Sequence, residues 1–446
     1  MQILDSTKAL PAAHDVRDII DRRMLADGYP MVLDMKGSHG PMLRDALTGR
    51  EYVDLFTFYA SNPLGMNHAG LAGDSEDAIA FRERLMDAAL NKVANSDVYT
   101  PHLARVVQTF ERVGIPAELP HAFFVSGGAL AVENALKAAF DWKIRKNMAA
   151  GKGETGGTMA MHFKEAFHGR SGYTMSLTNT DPNKVAHYPK FDWPRILNPK
   201  IRGGNVEERE AEAIRQAEQA FADHPGEIAC IILEPIQGEG GDNHFRLEFF
   251  RELRRLADEY EAMLIFDEVQ TGVGLTGNFW AWQGIGVTPD IIAFGKKTQV
   301  CGILAGPRID EVEDNVFQKS SRINSTWGGN LVDMVRFDRI LEVIESEDLV
   351  GNAARLHDPL MSRLRQLEAR YDGVTDSRGM GLMCAFDLPD KATRNAVVSA
   401  AFEEGAIMLG CGPRTIRFRP ALTVTEADLT MGLDILDTAL AKVLEA

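Results

Sequence analysis

The chain has 446 residues, of which 45% are hydrophobic and 25% are charged, as in an ordinary globular protein. This length predicts a large core that is divided between two domains. The formal net charge of −16 argues against a nucleic-acid-binding protein, because phosphate binding needs a basic surface. No apolar run approaches the length of a membrane-spanning helix, and the first residues lack the pattern of a secretory signal, so we expect a cytoplasmic protein.

The cysteines give no sign of a cross-linked or metal-bound structure. Cys230, Cys301, Cys384 and Cys411 are scattered along the chain, and none forms a CxxC pair. We therefore expect neither a disulfide framework nor a metal site.

The N-terminal part is predicted to begin with a helix and to continue as a small sheet. Residues 1–30 have the character of a helical entry segment, and short strands are predicted at Met31–Asp34, Gly40–Asp45 and Glu51–Leu55. The segment Phe56–His68 then combines aromatic residues, Asn and Gly in an irregular order. Such a stretch is either a functional loop or a packed interface loop.

A strand, a glycine turn and a helix follow one another at Ala122–Val125, Ser126–Ala129 and Leu130 onward. A glycine turn that opens a helix presents unpaired backbone N–H groups and the positive end of the helix dipole, which together suit a phosphate. The turn is therefore a candidate anion site. In a second interpretation, the glycines only let the helix pack close to the strand.

Two further strand ends carry side chains that could bind a ligand. The predicted strand Thr158–Phe163 is followed by Phe167 and Arg170. The aromatic ring could stack on a flat cofactor ring or serve packing alone, and the arginine could bind a carboxylate through two hydrogen bonds. The predicted strand Glu227–Leu233 is followed by Glu239 in a glycine-flanked loop, where a carboxylate is either a site residue or a solvated group.

The stretch Glu261–Val300 carries an acid and a lysine at successive strand ends. Two short apolar runs, Ala262–Asp267 and Asp290–Phe294, are predicted as buried strands, and the second is followed by Lys296. In open α/β sheets ligands bind at the carboxyl ends of strands, so Asp267 and Lys296 are expected to lie close together. This pair suits pyridoxal phosphate, because the lysine can bind the cofactor covalently while the acid keeps its pyridine nitrogen protonated.

The same strand ends have two other interpretations. A strand that ends in Asp-Glu also occurs in nucleotide hydrolases, where the acid holds magnesium, but these enzymes need a phosphate loop of the form GxxxxGKS or GxxxxGKT. The nearest segment, Gly295–Thr298, has Lys297 where Ser or Thr is required, and Asp290 stands where the leading Gly should be. In the second alternative, Lys296 and Lys297 are two solvated surface lysines.

The last part of the chain is predicted to form an α+β unit. The small-residue loop Ser325–Asn330 precedes it and contains Thr326, whose hydroxyl could bind a phosphate. In the predicted strand Thr415–Leu422, alternation places Arg417 and Arg419 on the same face. The remaining helices are predicted at Ala78–Leu90, His102–Val113, Glu207–Ala222, Leu247–Tyr260, Val332–Ser346, Ala353–Arg370, Lys391–Glu404 and Glu426–Glu445.

Seven segments stand in the order in which one known family has them. SGGALAVENALKAA, FHGRSGYTMSLT, EPIQGEGG, LIFDEVQTGVGLTG, PDIIAFGKK, STWGGN and IRFRPAL resemble the motifs of the class III (ornithine-type) pyridoxal-phosphate-dependent aminotransferases, over nearly the whole chain. The resemblance implies a fold-type I transferase, an α/β protein whose large domain has a mostly parallel sheet flanked by helices. We expect this cofactor-binding domain at residues 61–330, and a small α+β domain formed by residues 1–60 and 331–446.

The resemblance also implies which residues contact the cofactor. Lys296, directly after the glycine of the PDI strand, corresponds to the lysine that binds pyridoxal phosphate, and Asp267 corresponds to the acid at the pyridine nitrogen. Phe167 would stack on the ring, and Gln270 would contact the ring hydroxyl. A Thr from the other subunit is expected at the phosphate, which implies a homodimer with shared sites. The residues expected at the phosphate are Gly127, Gly128, Ala129 and the Thr326 of the second copy.

The implied substrate site contains a charge switch. Arg417 corresponds to the arginine that receives an α-carboxylate, and Glu239 corresponds to the residue that covers it. Glu239 would hide the charge of Arg417 while a donor amine far from its own α-carboxylate reacts, and would release it when 2-oxoglutarate enters. Arg170 would bind the distal carboxylate of the donor and later the side-chain carboxylate of the acceptor. Lys296 would also serve as the general base and acid of the proton shift.

Three segments are similar to family members that act on the 6-amino group of L-lysine, namely Leu33–His68, Phe167–Lys184 and Phe294–Gly306. The implied reaction converts L-lysine and 2-oxoglutarate to L-glutamate and 2-aminoadipate 6-semialdehyde, which cyclises to a piperideine carboxylate. Lysine and ornithine differ by one methylene, which a hydrophobic pocket distinguishes by only about 1–3 kcal/mol, so the donor rests on the resemblance alone. Ornithine, 4-aminobutyrate and diamines are the alternative donors.

Overall fold

The computed structural model describes residues 10–445, and residues 1–9 and 446 lie outside the described part. Within that part the strands form three sheets, of three, four and seven strands. The strands are β1 (Met42–Arg44), β2 (Glu51–Asp54), β3 (His121–Val125), β4 (Met159–Phe163), β5 (Arg195–Ile196), β6 (Ile228–Leu233), β7 (Met263–Asp267), β8 (Ile291–Phe294), β9 (Cys301–Ala305), β10 (Thr375–Met380), β11 (Met383–Asp387), β12 (Ala406–Ile407), β13 (Leu409–Cys411) and β14 (Thr415–Arg417).

Helices connect and cover these strands. They are α1 (Val16–Asp21), α2 (Thr57–Ala60), α3 (Ala69–Ala72), α4 (Glu76–Leu90), α5 (Pro101–Val113), α6 (Gly128–Ala149), α7 (Thr174–Leu177), α8 (Val206–Asp223), α9 (Leu247–Glu259), α10 (Ala281–Ile285), α11 (Leu331–Ser346), α12 (Leu349–Arg355), α13 (His357–Arg370), α14 (Lys391–Glu404) and α15 (Glu426–Leu444). Short 3-10 turns lie at Ala13–Asp15, Pro182–Lys184, Lys296–Thr298 and Pro307–Glu311. No helix within residues 10–445 is long and apolar enough to cross a membrane.

The seven-stranded sheet has the order β3-β9-β8-β7-β6-β4-β5. Strands β4 to β8 pair in parallel, whereas β9 is antiparallel to both of its neighbours. The mostly parallel sheet predicted from the sequence is therefore confirmed. Its central strands β6, β7 and β8 are buried along their whole length, as their continuous runs of apolar residues require.

Helices cover both faces of this sheet. Successive side chains of its strands point to opposite sides, so each face contributes to a core of its own. Ile231 and Leu264 face a core that includes apolar residues of α5, α8 and α9. Ile232 and Ile265 face the opposite core, which is formed mainly by α6. This arrangement leaves the carboxyl ends of the parallel strands as the edge where polar side chains can meet.

The smaller sheets lie beside that edge and draw on both ends of the chain. One has the order β1-β2-β12, so that the C-terminal strand β12 pairs in parallel with the N-terminal strand β2, Ala406 with Val53. The other has the order β10-β11-β14-β13 and is antiparallel throughout. The predicted domain limits at residues 60 and 330 stay a prediction.

Two predicted strands differ from the observed ones. Met31–Asp34 is not a strand: Leu33 makes one isolated bridge with Asp45, whose carboxylate accepts the N–H of Val32 at 2.9 Å. The predicted strand from Thr415 to Leu422 ends at Arg417, shortly before Pro420, which has no N–H to donate. The two short strands β12 and β13 were not predicted.

Two predicted helices are shorter or divided. The segment Ala353–Arg370 consists of two helices, α12 and α13, which meet at Leu356. Pro359 lies in the first turn of α13, where a missing N–H needs no intrahelical partner. In the predicted entry segment 1–30, the described helical part covers only the 3-10 turn Ala13–Asp15 and α1.

The aromatic segment after β2 has an unusual backbone. The turn α2 is left-handed: Thr57, Phe58, Tyr59 and Ala60 have φ values from +40° to +65°. Four consecutive non-glycine residues in this region store strain, which persists only where the surrounding structure fixes it. The strained turn α2 contacts the 3-10 turn Lys296–Thr298, which follows β8.

Candidate active site

Lys296 lies directly after β8, at the start of the 3-10 turn Lys296–Thr298. Its φ of +55° falls in the left-handed region, so the backbone is strained at this residue as well. Burial, and after it the positive charge of Arg417, lower the pKa of the Lys296 amine from 10.5 to about 8. The amine therefore has a larger neutral fraction at moderate pH, which a nucleophilic lysine needs.

Asp267 ends β7, the parallel neighbour of β8, and is buried. Its Oδ2 lies 2.8 Å from Nδ1 of His168, and its Oδ1 accepts the N–H of Val269 at 3.1 Å. Burial alone would lower the pKa of His168, but the hydrogen bond and the charge of Asp267 raise it. The same contact gives the buried Asp267 carboxylate a hydrogen-bond partner. His168 was not singled out from the sequence, because its partner lies 99 positions away.

A cavity of about 220 Å³ contains both strand ends. It is lined by Gly128, Ala129, Phe167, His168, Gly169, Glu234, Glu239, Asp267, Val269, Gln270 and Lys296. Most of the predicted cofactor residues are thus brought together by the fold. The alternative in which Lys296 and Lys297 are surface lysines is wrong: Lys297 is buried, and its Nζ donates to the carbonyl of Gln270 at 2.7 Å.

The glycine turn stands at one end of this cavity. Gly127 has a φ of +111° and precedes the first residue of the long helix α6, Gly128. A Cβ on Gly128 would approach Cγ1 of Val269 to 3.2 Å, so the missing side chain lets the helix start lie against the loop after β7. Ala129 also lines the cavity. The helix N-terminus offers backbone N–H groups to an anion there.

Glu234, directly after β6, is a second site residue that was not predicted from the sequence. It is buried, and its carboxylate accepts the N–H of Phe167 at 2.9 Å and the N–H of Gly238 at 3.0 Å. Burial raises its pKa to about 7. The carboxylate joins the loop after β4 to the loop that carries Glu239, and thereby positions the Phe167 ring. In the sequence, its place in the motif EPIQGEGG was the only indication of a role.

The predicted switch residues are in contact. Nη2 of Arg417, which ends β14, lies 2.8 Å from Oε2 of Glu239. Burial alone would raise the pKa of Glu239, but Arg417 and Lys184 together lower it, so the carboxylate is charged. The charge of the buried Arg417 is masked while this ion pair is formed.

Gln270 links the cofactor side to the two arginines. Its Oε1 accepts from Nη2 of Arg419 at 2.8 Å and lies 3.5 Å from Nη1 of Arg417, as expected of arginines on one face. Arg419 is paired with Asp242 at 2.9 Å, so its charge is already neutralised. The Nε2 amide is therefore the group that Gln270 can present to a ligand.

Arg170 and Thr326 do not line the small cavity. Arg170 is exposed and lines a larger, open cavity of about 990 Å³, together with Tyr173, Lys184 and Tyr188. Thr326 is exposed in the loop before α11, and its carbonyl accepts a hydrogen bond from Ser96 at 3.1 Å.

The family model for aminotransferase class III matches residues 24–440. The chain belongs to the class III aminotransferases. Enzymes of this family depend on pyridoxal phosphate, and the fold is that of the fold-type I transferases, as the sequence predicted. The aminotransferase activity and the cofactor are thereby established for this chain.

Similar proteins cover almost the full length. The chain is 56% identical to an L-lysine-epsilon aminotransferase of Mycobacterium tuberculosis over 431 residues, 95% of either sequence. It is 52% identical to an L-lysine-epsilon aminotransferase of Amycolatopsis lactamdurans over 439 residues, 97% of this chain and 96% of the other. A solved structure of the lysine aminotransferase from M. tuberculosis superimposes with a TM-score of 0.95 at 54% identity, and covers 97% of this chain and 100% of that one.

The residues of the cavity fit pyridoxal phosphate. The N-terminus of α6 suits its phosphate, and the charged Asp267 suits a protonated ring nitrogen. Nε2 of His168 is buried and has no hydrogen-bond partner among residues 10–445, which leaves a polar atom for a bound group. Lys296 has the lowered pKa that covalent binding requires.

Proposed function

We propose that this aminotransferase moves the 6-amino group of L-lysine to 2-oxoglutarate, and forms L-glutamate and 2-aminoadipate 6-semialdehyde. The two most similar relatives described above act on this amino group by name, at 56% and 52% identity over nearly the full chain. The three segments singled out for this donor, Leu33–His68, Phe167–Lys184 and Phe294–Gly306, support the same choice.

The ion pair between Glu239 and Arg417 is the observation that carries the proposal. A donor that reacts through its 6-amino group keeps its α-carboxylate far from the reacting nitrogen, whereas 2-oxoglutarate brings a carboxylate next to it. Glu239 holds Arg417 masked for the first substrate and must leave it for the second. An enzyme with two α-amino substrates would gain nothing from a carboxylate at 2.8 Å from this arginine.

We assign the cofactor contacts as the resemblance implies them. Gly127, Gly128 and Ala129 would hold the phosphate, Phe167 would stack on the ring, Gln270 would contact the ring hydroxyl, Asp267 would pair with the ring nitrogen, and Lys296 would bind the cofactor. When bound, pyridoxal phosphate supplies an electron sink that makes the proton on the reacting carbon acidic. Nζ of Lys296 is the group that would take up and release this proton, a role that its lowered pKa favours.

Arg170 decides between carboxylate donors and diamines. We propose that its guanidinium binds the α-carboxylate of lysine, and later the side-chain carboxylate of the acceptor, because it faces the open cavity next to Lys184. Cadaverine is lysine without its carboxylate. It keeps both amino groups but has no carboxylate for Arg170 to bind.

A donor panel with 2-oxoglutarate tests the proposal: L-lysine, L-ornithine, 4-aminobutyrate and cadaverine. Glutamate formation is followed for each donor, and the cyclic imine product is trapped with o-aminobenzaldehyde. We expect lysine to react with the highest kcat/KM. Preference for ornithine or 4-aminobutyrate would move the donor assignment within the family, and preference for cadaverine would also remove the role of Arg170.

We further propose a homodimer in which Thr326 of one copy contacts the phosphate bound by the other. Support comes from its exposed position, away from the cavity of its own chain. Thr326→Ala removes one hydrogen bond and should weaken cofactor binding about fivefold, without unfolding. Equilibrium dialysis measures the affinity, and sedimentation measures the oligomer. Unchanged affinity, or a monomer, contradicts the shared site. Ser325→Ala, one residue earlier, is the matched control.

A cytoplasmic location stays part of the proposal. All four cysteines are buried free thiols, as is usual in a reducing compartment.

A further inference from the structure

Glu239 is bound by two cations, one at each carboxylate oxygen. Oε2 pairs with Arg417, and Oε1 pairs with Nζ of Lys184. The two cations differ in their surroundings: the Arg417 side chain is 2% exposed, whereas that of Lys184 is 26% exposed. The exchange of Glu239 for a substrate carboxylate at Arg417 does not by itself require Lys184.

Arg417 cannot follow Glu239 when the switch opens. It ends β14, which is paired with β11 and β13 on its two sides. The backbone of Glu239 is also held, because its carbonyl accepts the N–H of Gly412 at 2.9 Å. The carboxylate must therefore leave Arg417 by rotation of the Glu239 side chain.

Rotation of the Glu239 side chain can carry its carboxylate towards Lys184. This lysine closes the 3-10 turn Pro182–Lys184 and lines the open cavity with Arg170. Its Nζ is 5.4 Å from the centroid of the Phe167 ring, which lines the small cavity. Through Glu239, Lys184 therefore connects the masked arginine to the open cavity.

We propose that Lys184 is a positioning residue that keeps the Glu239 carboxylate in an ion pair after it has left Arg417, and so favours entry of the second substrate's α-carboxylate. This proposal rests on the proposed function of the Glu239–Arg417 pair. Coulomb attraction acts between each pair of charges separately, and Lys184 uses the other carboxylate oxygen, so its ion pair can persist when the carboxylate leaves Arg417. Without Lys184, the carboxylate of a partly buried glutamate would leave its only cation.

The two donors L-lysine and L-glutamate separate this role from others, because both convert the same form of the holoenzyme. Glutamate needs Arg417 unmasked, and lysine does not. Single-turnover absorbance of the bound cofactor gives the half-saturating concentration and the limiting rate for each donor. For Lys184→Met we expect the half-saturating concentration of glutamate to rise about three- to fivefold, and that of lysine to change less than about twofold. The limiting rates should stay the same.

Three comparisons decide the result. Lys184→Arg should restore glutamate binding, and Lys164→Met, which removes an exposed lysine that lines neither cavity, should leave both donors unchanged. In the Glu239→Ala background, Lys184→Met should have no further effect on glutamate. Equal weakening of both donors, no weakening at all, or an effect that persists without Glu239 would overturn the proposal. If wild-type enzyme fails to react with lysine, the donor assignment falls, while the glutamate comparison still tests Lys184.

Discussion

The active site has two sides that are built in different ways. On the cofactor side, Asp267 ends β7 and Lys296 follows the adjacent parallel strand β8; Asp267 is buried and hydrogen-bonded to His168, and Lys296 is half-buried. On the substrate side, Glu239 stands in a loop and meets Arg417 from the four-stranded sheet, 178 positions later. Arg170, also on this side, is exposed in the open cavity.

This difference separates chemistry from specificity. The cofactor side needs a fixed geometry and a fixed set of charges, which the ends of buried strands provide. The substrate side must accept two carboxylates in turn, so its charges lie on loops and on a second sheet, where a side-chain rotation can rearrange them. Substitutions on the first side should stop the reaction, and substitutions on the second should redirect it.

Lys296→Ala should have the largest effect of these substitutions. A small effect would contradict the distinction between the two sides of the site. The variant loses both the amine that binds the cofactor and the base that moves the proton, so turnover should fall by more than about 10⁴-fold. The visible absorbance of covalently bound cofactor should disappear. Lys297→Met is the matched control, because it removes the neighbouring buried amine and should keep that absorbance. Turnover retained in Lys296→Ala would move the reacting amine elsewhere.

Asp267→Asn should come next. The amide keeps the size of the side chain but removes the charge opposite His168 and at the ring nitrogen, so we expect kcat to fall about 10²- to 10³-fold while cofactor remains bound. The pKa of His168 should fall as well, since its hydrogen bond with the Asp267 carboxylate is the main cause that raises it. NMR titration of the imidazole and steady-state kinetics check the two effects. A kcat within about twofold of wild type contradicts the assignment.

The two sides also differ in how far the sequence predicts them. Asp267 and the pair Lys296–Lys297 could be predicted because they stand at the ends of apolar runs typical of buried strands, and the family resemblance then selected Lys296. His168 and Lys184 could not, since their partners Asp267 and Glu239 lie 99 and 55 positions away. For the same reason the short strands β12 and β13 were missed: two or three residues become a strand only through the partner they meet.

Glu239→Ala tests whether the substrate side controls which donor reacts. The variant leaves Arg417 unmasked, so glutamate and other α-amino donors should react more readily, and their kcat/KM relative to lysine should rise about five- to tenfold. The cofactor absorbance should stay as in the wild type, because Glu239 is not needed to bind the cofactor. Competition between the two donors in one reaction measures the ratio directly. An unchanged ratio means that Glu239 does not control access to Arg417.

Glu234 lies between the two sides, and its substitution should have the smallest effect on turnover. Burial raises its pKa from 4.5 to about 7, so the folded chain binds this proton more tightly than the unfolded chain does. The resulting stabilisation is fully present below pH 4.5 and is lost as the pH rises to about 7, by up to about 3 kcal/mol. Glu234→Gln cannot titrate and also loses one backbone hydrogen bond, a constant cost of about 1 kcal/mol.

The free energy of unfolding of the cofactor-free variant, measured in urea against wild type, should therefore rise relative to wild type between pH 4.5 and 7 and level off above that range. The cofactor is removed because its own charges would alter the titration. A difference that stays flat with pH would mean that the N–H groups of Phe167 and Gly238 keep Glu234 ionised. In that case the carboxylate would be a fixed charge shared by the two loops, and the rigid side of the site would extend as far as the loop of Glu239.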